Sequence, residues 1–276
     1  MDFCKREAPF LRFATFLSPL LYEVYEGISR YIGEQTGLPT RLVVGDSPEE
    51  LSSGQVDVGF MCGLPYSLMA RRKDAPIEVL AAPVLLPERY GVEPRYFSDV
   101  VVRRDSPFAS FEDLRGRVWG YNERTSHSGW NLVCSSLYRR GLGLDYFSYM
   151  CKTGSHLASL HMLERGEIDA AAIDSHVFDV ARLRQPDLDA RLRVIEVLGP
   201  SSIPPVVVSK TLDSSLKRAV QLALLSIHTD RLAAHVLQKG LIAHFVQVGD
   251  EHYEHIYRTY CFVQQWQERT FTSSIT

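Results

Sequence analysis

Nowhere in the sequence do ~18 apolar residues follow one another, so it lacks the run that a membrane-crossing helix needs. The most apolar stretch near the start, residues 10–22, is broken by Arg12, Thr15, Ser18 and Pro19. No small-residue cleavage site follows it, so no secretory leader is read. The chain is therefore expected in the cytoplasm as written, or in the periplasm if a leader has been removed. Positive charge is not in excess either: 30 Lys and Arg stand against 33 Asp and Glu, a net charge of −3. That argues against a nucleic-acid partner, because neutralising a phosphate backbone takes clustered cations. Cysteine is sparse, with five in 276 residues (Cys4, Cys62, Cys134, Cys151, Cys261). An odd number, without a C-x-x-C pair or a repeated spacing, excludes a disulfide framework and reads as reduced thiols. The G-x-x-x-x-G-K phosphate loop and the G-x-S-x-G nucleophile elbow are both missing, so nucleotide hydrolysis and serine-hydrolase chemistry have no motif.

What the chain does contain is ordinary globular material, 45% apolar and 11% aromatic. Its length, about twice that of a typical domain, allows one large domain or two lobes. Strand-like and helix-like runs alternate over the first two thirds. Residues 10–17 read as a strand, and Leu20, Leu21, Val24, Ile28, Tyr31 and Ile32 then recur at helical spacing until Gly37. Residues 40–45 read as a strand, residues 47–54 as a helix with Ser47 as N-cap and Pro48 at its first position, and residues 56–63 as a third strand. The same grammar restarts after residue 108 and runs to residue 175. Such alternation predicts an α/β fold with parallel strand pairs and helices on the sheet faces. From Leu212 onward the pattern is mostly helical.

The candidate chemistry lies at helix starts. Thr125-Ser126-His127-Ser128-Gly129 falls between a predicted strand and a helix with Trp130, Val133, Cys134 and Leu137 on its apolar face. The first turn of a helix offers unpaired N–H groups and a partial positive charge, and serine hydroxyls add further donors, which together suit a small oxyanion. The competing account of such a serine is a simple helix cap. Thr153-Gly154-Ser155-His156 repeats the arrangement before a second predicted helix. In α/β sheets, ligands collect at the carboxyl ends of strands, where both loops belong.

The stretches GQVDVGFMCGLPY, SFEDLRGRVWGYNERTSHSG and TGSHLASLHMLERGEIDAAAIDS, in that order, resemble the phosphonate- and phosphite-binding proteins of bacterial ABC transporters. The resemblance covers roughly residues 10–210, and its most specific parts are the Ser-x-Ser-Gly and Gly-x-His elements. It implies a two-lobed type II periplasmic-binding-protein fold. Each lobe would be a mixed, mostly parallel sheet flanked by helices, and two crossing strands would join the lobes. Residues 1–97 with 199–276 are expected to form the first lobe and residues 98–198 the inserted second. A phosphorus oxyanion (phosphonate, phosphite or phosphate) would be held in the cleft for a transporter or sensor, with an ABC permease as a possible partner. Carried over by position, the expected ligand contacts are Tyr66, Thr125, Ser126, His127 (mainly through its backbone N–H), Ser128, His156 and Asp174, with Tyr96 a weaker match. Where aminophosphonate binders place a further acid for the ligand amine, this chain has Ser202-Ile203-Pro204-Pro205, which argues against an amine-bearing ligand.

Other readings of the same residues have less behind them. His252 with His255, and His156 with His161, could begin a metal site, but no third and fourth ligand completes either pair, and no metal or cofactor is expected. The segment carrying His252 and His255 reads instead as a solvated helix face. Cys62, His156 and Asp174 are all expected near the cleft, so a lyase-like enzyme built on the same scaffold is the alternative function. Arg71-Arg72-Lys73 reads as a solvated helix end.

Overall fold

Short β-branched and alanine-rich runs alternate with amphipathic segments, and the strands they form divide between two sheets. The structure, a computed structural model, describes residues 10–273, so Cys4 lies outside the described residues. The strands are β1 (Leu11–Thr15), β2 (Thr40–Val44), β3 (Val58–Phe60), β4 (Ile77–Leu85), β5 (Arg95–Arg103), β6 (Val118–Tyr121), β7 (Tyr149–Lys152), β8 (Ala170–Asp174), β9 (Leu192–Ser202), β10 (Val206–Ser209) and β11 (Ile242–Val246). The helices are α1 (Tyr22–Thr36), α2 (Glu49–Ser52), α3 (Gly63–Ala70), α4 (Leu132–Arg139), α5 (His156–Glu164), α6 (Ser175–Arg184), α7 (Leu188–Arg191), α8 (Ser214–Ser226), α9 (Arg231–Lys239) and α10 (Glu254–Ser273). The first sheet has the order β11-β4-β10-β3-β1-β2 and the second β7-β6-β8-β5-β9.

Both sheets are mixed. Pairing is parallel where a helix carries the chain over the sheet, as in β1 with β2 and β3, and in β6 with β7 and β8. It is antiparallel where the chain enters or leaves a sheet, as in β10 with β3 and β4, and in β5 with β8 and β9. The chain passes between the sheets twice, from β4 into β5 and from β9 into β10, and β5 and β9 pair from Arg95 opposite Ser202 to Arg103 opposite Leu192.

Each sheet has its own core. Phe13, Ile28, Ile32, Val207 and Leu224 belong to the apolar cluster around the first. Trp119, Phe111, Phe147 and Val133 pack on one face of the second, and Ile173, Phe178 and Leu163 on the other. Helix α10 bridges the two, since Ile256 joins the first cluster and Val263 the second. Among the described residues no helix is long and apolar enough to cross a membrane.

Several local expectations are refined. Helix α1 ends at Gly37 as its pattern predicts; the glycine takes a left-handed conformation (φ 69°) and returns its N–H to the Gly33 carbonyl. The regular turns of α2 begin at Glu49, but Ser47 caps them as expected: its Oγ accepts the Glu49 N–H at 3.3 Å, and the Glu50 carboxylate accepts the N–H groups of Ser47 (3.1 Å) and Asp46 (2.8 Å). Strand β11 lies in a region whose pattern is mostly helical; it is short, and its pairing to β4 along one edge decides its conformation. The expected solvated face carrying His252 and His255 is partly engaged: His255 Nε2, in α10, lies 2.7 Å from Ser201 Oγ, and His252 Nδ1, in the 3-10 turn before it, accepts the Gly249 N–H at 3.1 Å.

Candidate functional site

Between the sheets lies a cleft of about 500 Å³. The residues that begin helices supply much of its lining, since Ser18, Cys62, Ser126, Ser155 and Asp174 are N-caps and all face it. Each follows a strand or a short loop after one, so the sheet order itself directs these helix starts at one space. No Lys or Arg lines the cleft among the described residues.

The stretch at residues 125–139 does not begin as a regular α-helix. It opens with a π turn over His127–Asn131, in which the Ser126 carbonyl accepts the N–H of Asn131 (3.2 Å) and also its side-chain amide (3.0 Å). Ser126 Oγ accepts the Gly129 N–H at 3.0 Å, so the capping account of this serine holds locally. Gly129 is required by close approach, because a Cβ there would lie 1.9 Å from Asn122 Oδ1. The Ser128 carbonyl is held by Ser98 Oγ at 2.9 Å, which leaves Ser128 Oγ beside His156 Nε2 at 3.1 Å. Asn122 Nδ2 lies 3.3 Å from the same ring nitrogen. Burial depresses the His156 pKa to about 4, so the ring is neutral at pH 7.

This corner contains buried polar atoms with no partner among the described residues: His156 Nδ1, Asn122 Oδ1 and both nitrogens of His127. Leaving such a group unpaired costs about 1–3 kcal/mol, so the cluster is incomplete as it stands. Across from it, Asp174 caps α6; its Oδ1 accepts the N–H groups of His176 (2.9 Å) and Val177 (3.3 Å). Burial raises the Asp174 pKa to about 7, with Asp99 and Asp179 pushing the same way and the two backbone N–H groups opposing. Glu123, at the cleft edge, is paired with Lys152 at 2.9 Å.

Of the expected contacts, Thr125, Ser126, Ser128, His156 and Asp174 line the cleft, and Tyr66, Tyr96 and His127 do not. Tyr66 is buried against Tyr253 and donates its hydroxyl to Asp250. Tyr96 lies behind the cleft wall within hydrogen-bonding reach of Ser128. The His127 ring is fully buried, edge-on to His255 with ring centroids 6.2 Å apart. Cys62 lines the cleft, but burial raises its thiol pKa, and no hydrogen bond joins it to His156 among the described residues. Sequence reasoning missed Asn122, Thr15, Phe16, Ser18 and Tyr25 as lining residues. For Ser18 a signal existed: Ser-Pro directly after a strand is the same cap-then-helix pattern that singled out Ser126.

Two mixed α/β sheets, a chain that passes between them twice and a cleft walled by helix starts define a type II periplasmic-binding-protein fold. A sequence model of the family described as the periplasmic substrate-binding protein of phosphonate ABC transporters matches residues 13–253. The chain belongs to that family. It is similar to the binding-protein component of a phosphonate ABC transporter from Pseudomonas aeruginosa (TM-score 0.81, 18% identity, covering 94% of this chain and 87% of that one). It is equally similar in fold to PhnD1 from Prochlorococcus marinus, solved with methylphosphonate (TM-score 0.81, 15% identity, 92% and 98% covered). The periplasmic aliphatic sulphonate-binding protein SsuA from Escherichia coli is a more distant likeness (TM-score 0.63, 14% identity, 96% and 89% covered). No curated protein matches the chain by sequence. None of these relatives is described as an enzyme, so the lyase-like alternative finds no support among them.

Proposed function

We propose that this chain captures a phosphonate or related phosphorus oxyanion in the cleft between its sheets and presents it, in the periplasm, to an ABC permease. The observation that carries this reading is the unsatisfied cluster of Asn122 and His156 beside Ser128, set among the helix starts at Ser126, Ser155 and Asp174. Neutral donors and helix N-termini hold a desolvated oxyanion without a full countercharge, which fits a cleft lined, among the described residues, by no Lys or Arg. Ser126, Ser128, Thr125 and His156 would contact the oxyanion directly. Tyr96 and His127 would support it from behind, and Tyr66 would brace α3 against Asp250. The test is a thermal-shift screen of phosphorus and sulfur oxyanions. A ligand at a hundredfold its Kd stabilises the fold by about 2.7 kcal/mol, and the bound compound should be recovered chemically unchanged. If no oxyanion raises the melting temperature, the reading fails.

The two lobes are proposed as residues 1–97 with 199–276 and residues 98–198, moving about the two chain passages between the sheets. Binding is then expected to close the cleft by rotation about these passages. Small-angle scattering should give a smaller radius of gyration at ligand saturation than without ligand, and an unchanged profile would argue for a rigid site.

A further inference from the structure

The two walls of the cleft differ in chemistry. The wall built from the second sheet presents Asn122, Ser126, Ser128, Ser155 and His156, all able to hydrogen-bond. The wall built from the first sheet and the chain leading into it carries six prolines: Pro19, Pro48, Pro65, Pro83, Pro204 and Pro205. No proline lines the second wall among the described residues. Their placement matters because proline has no N–H. Pro19 opens the short 3-10 turn Pro19–Leu21, Pro48 directly precedes α2 and Pro65 sits in the first turn of α3, so each of these helix starts on this wall has one backbone donor fewer. Its hydroxyls are few, those of Thr15, Ser18 and Tyr25, and the oxygens of the first two are fixed by accepting the N–H groups of Leu17 (3.2 Å) and Leu20 (3.4 Å).

Phe16, Phe60 and Phe245 add apolar surface to the same wall. Phe16 is seated by the backbone beside it, since a Cβ on Gly45 would lie 2.2 Å from the ring's Cε1. The wall's carboxylate, Asp46, is exposed to solvent. A bare tetrahedral oxyanion closed in this cleft would turn some of its oxygens toward a face poor in donors, where unpaired polar atoms are costly. A volume of about 500 Å³ is also in the range of pockets that hold organic molecules.

We infer that the ligand is an oxyanion bearing an uncharged, apolar organic substituent, with its head on the second-sheet wall and its substituent on the proline- and phenylalanine-lined wall. The inference rests on the proposed oxyanion function of the same cleft. It is tested by calorimetric titration of the intact protein with phosphate, methylphosphonate, propylphosphonate, phenylphosphonate and 2-aminoethylphosphonate at pH 7. Affinity should rise about fourfold for each buried methylene. Phenylphosphonate should bind at least tenfold tighter than methylphosphonate, and propylphosphonate at least tenfold tighter than its aminoethyl counterpart. Phe16→Ala should shrink the phenyl-to-methyl ratio. The inference is overturned if phosphate or methylphosphonate binds as tightly as the larger ligands, if the amine is preferred, or if Phe16→Ala, folded as judged by circular dichroism, leaves the ratio unchanged. Should no phosphorus compound bind at all, the oxyanion reading itself falls, a result distinct from binding without preference for the apolar substituent.

Discussion

Ser128→Ala is expected to weaken oxyanion binding by about 1.5 to 3 kcal/mol, the usual contribution of a hydrogen bond to a charged group, and to leave the fold intact. The backbone of Ser128 is held independently of its hydroxyl, through Ser98 Oγ to its carbonyl at 2.9 Å. The hydroxyl itself lies beside His156 Nε2 at 3.1 Å and faces the cleft. Removing it therefore takes away a donor and the neighbour of a neutral imidazole while the turn stays in place. Ser126→Ala differs by carrying a second effect: its Oγ accepts the Gly129 N–H at 3.0 Å, so besides an oxyanion contact its loss should take away about 1 kcal/mol of stability, as the loss of a helix cap does. Titration with the tightest phosphonate, combined with thermal unfolding of both variants, separates the two effects. If Ser128→Ala binds as wild type does with an unchanged melting temperature, the hydroxyl has no part in the site.

The difference between these two serines shows where sequence reasoning reaches and where it stops. Ser-x-Ser-Gly after a strand locates a helix start with donors, because cap preference and strand-to-helix order are local properties. That the Ser126 oxygen caps the turn while the Ser128 hydroxyl lies against His156 depends on the π turn at His127–Asn131 and on contacts from Ser98 and His156, which are distant in the chain. The α/β alternation was legible for the same local reason, since α1, β2 and β8 carry their periodicity within a few residues. Strand β11 was not, because its conformation is set by pairing to β4, more than 150 residues earlier. Asn122 carried no motif; its role appears only when the tips of β6 and β7 and the start of α5 bring it beside His156. Tyr66 shows the reverse case. The family resemblance implies a ligand contact there, yet Asp250 and Tyr253, from the far end of the chain, take up its hydroxyl and pack against its ring.

Asp174→Asn is expected to remove the pH dependence of binding. In the wild type, Oδ1 is occupied by the N–H groups of His176 and Val177, while Oδ2 makes no hydrogen bond within the described residues and the residue lines the cleft. Burial, with Asp99 and Asp179 adding to it, raises the carboxyl to about 7. Tyr25, Cys62, Tyr96 and His176 are further titratable neighbours; burial raises the first three and lowers the last, so all four are neutral near pH 7. Below pH 7 the Asp174 side chain therefore carries a proton and can donate it in a hydrogen bond to the oxyanion. Above pH 7 it is a carboxylate that repels the same ligand. Affinity should then fall as pH rises from 6 to 8, beyond any change caused by the ligand's own ionisation. Asparagine mimics the protonated acid, keeping an oxygen for the helix cap and offering an N–H to the cleft, so the variant should bind at pH 8 about as tightly as wild type at pH 6. Stability follows the same linkage with a definite sign. Because the folded carboxyl holds its proton up to about 7 and the unfolded one only to its ordinary 3.8, this group's contribution is lost as pH rises between those values. The melting temperature of the asparagine variant relative to wild type should therefore increase between pH 5 and pH 8. A dianion such as sulfate, which cannot bring its own proton, should gain most from the substitution. If Asp174→Asn lowers the melting temperature equally at both pH values and keeps the wild-type ligand ranking and pH profile, Asp174 is a helix cap and nothing more.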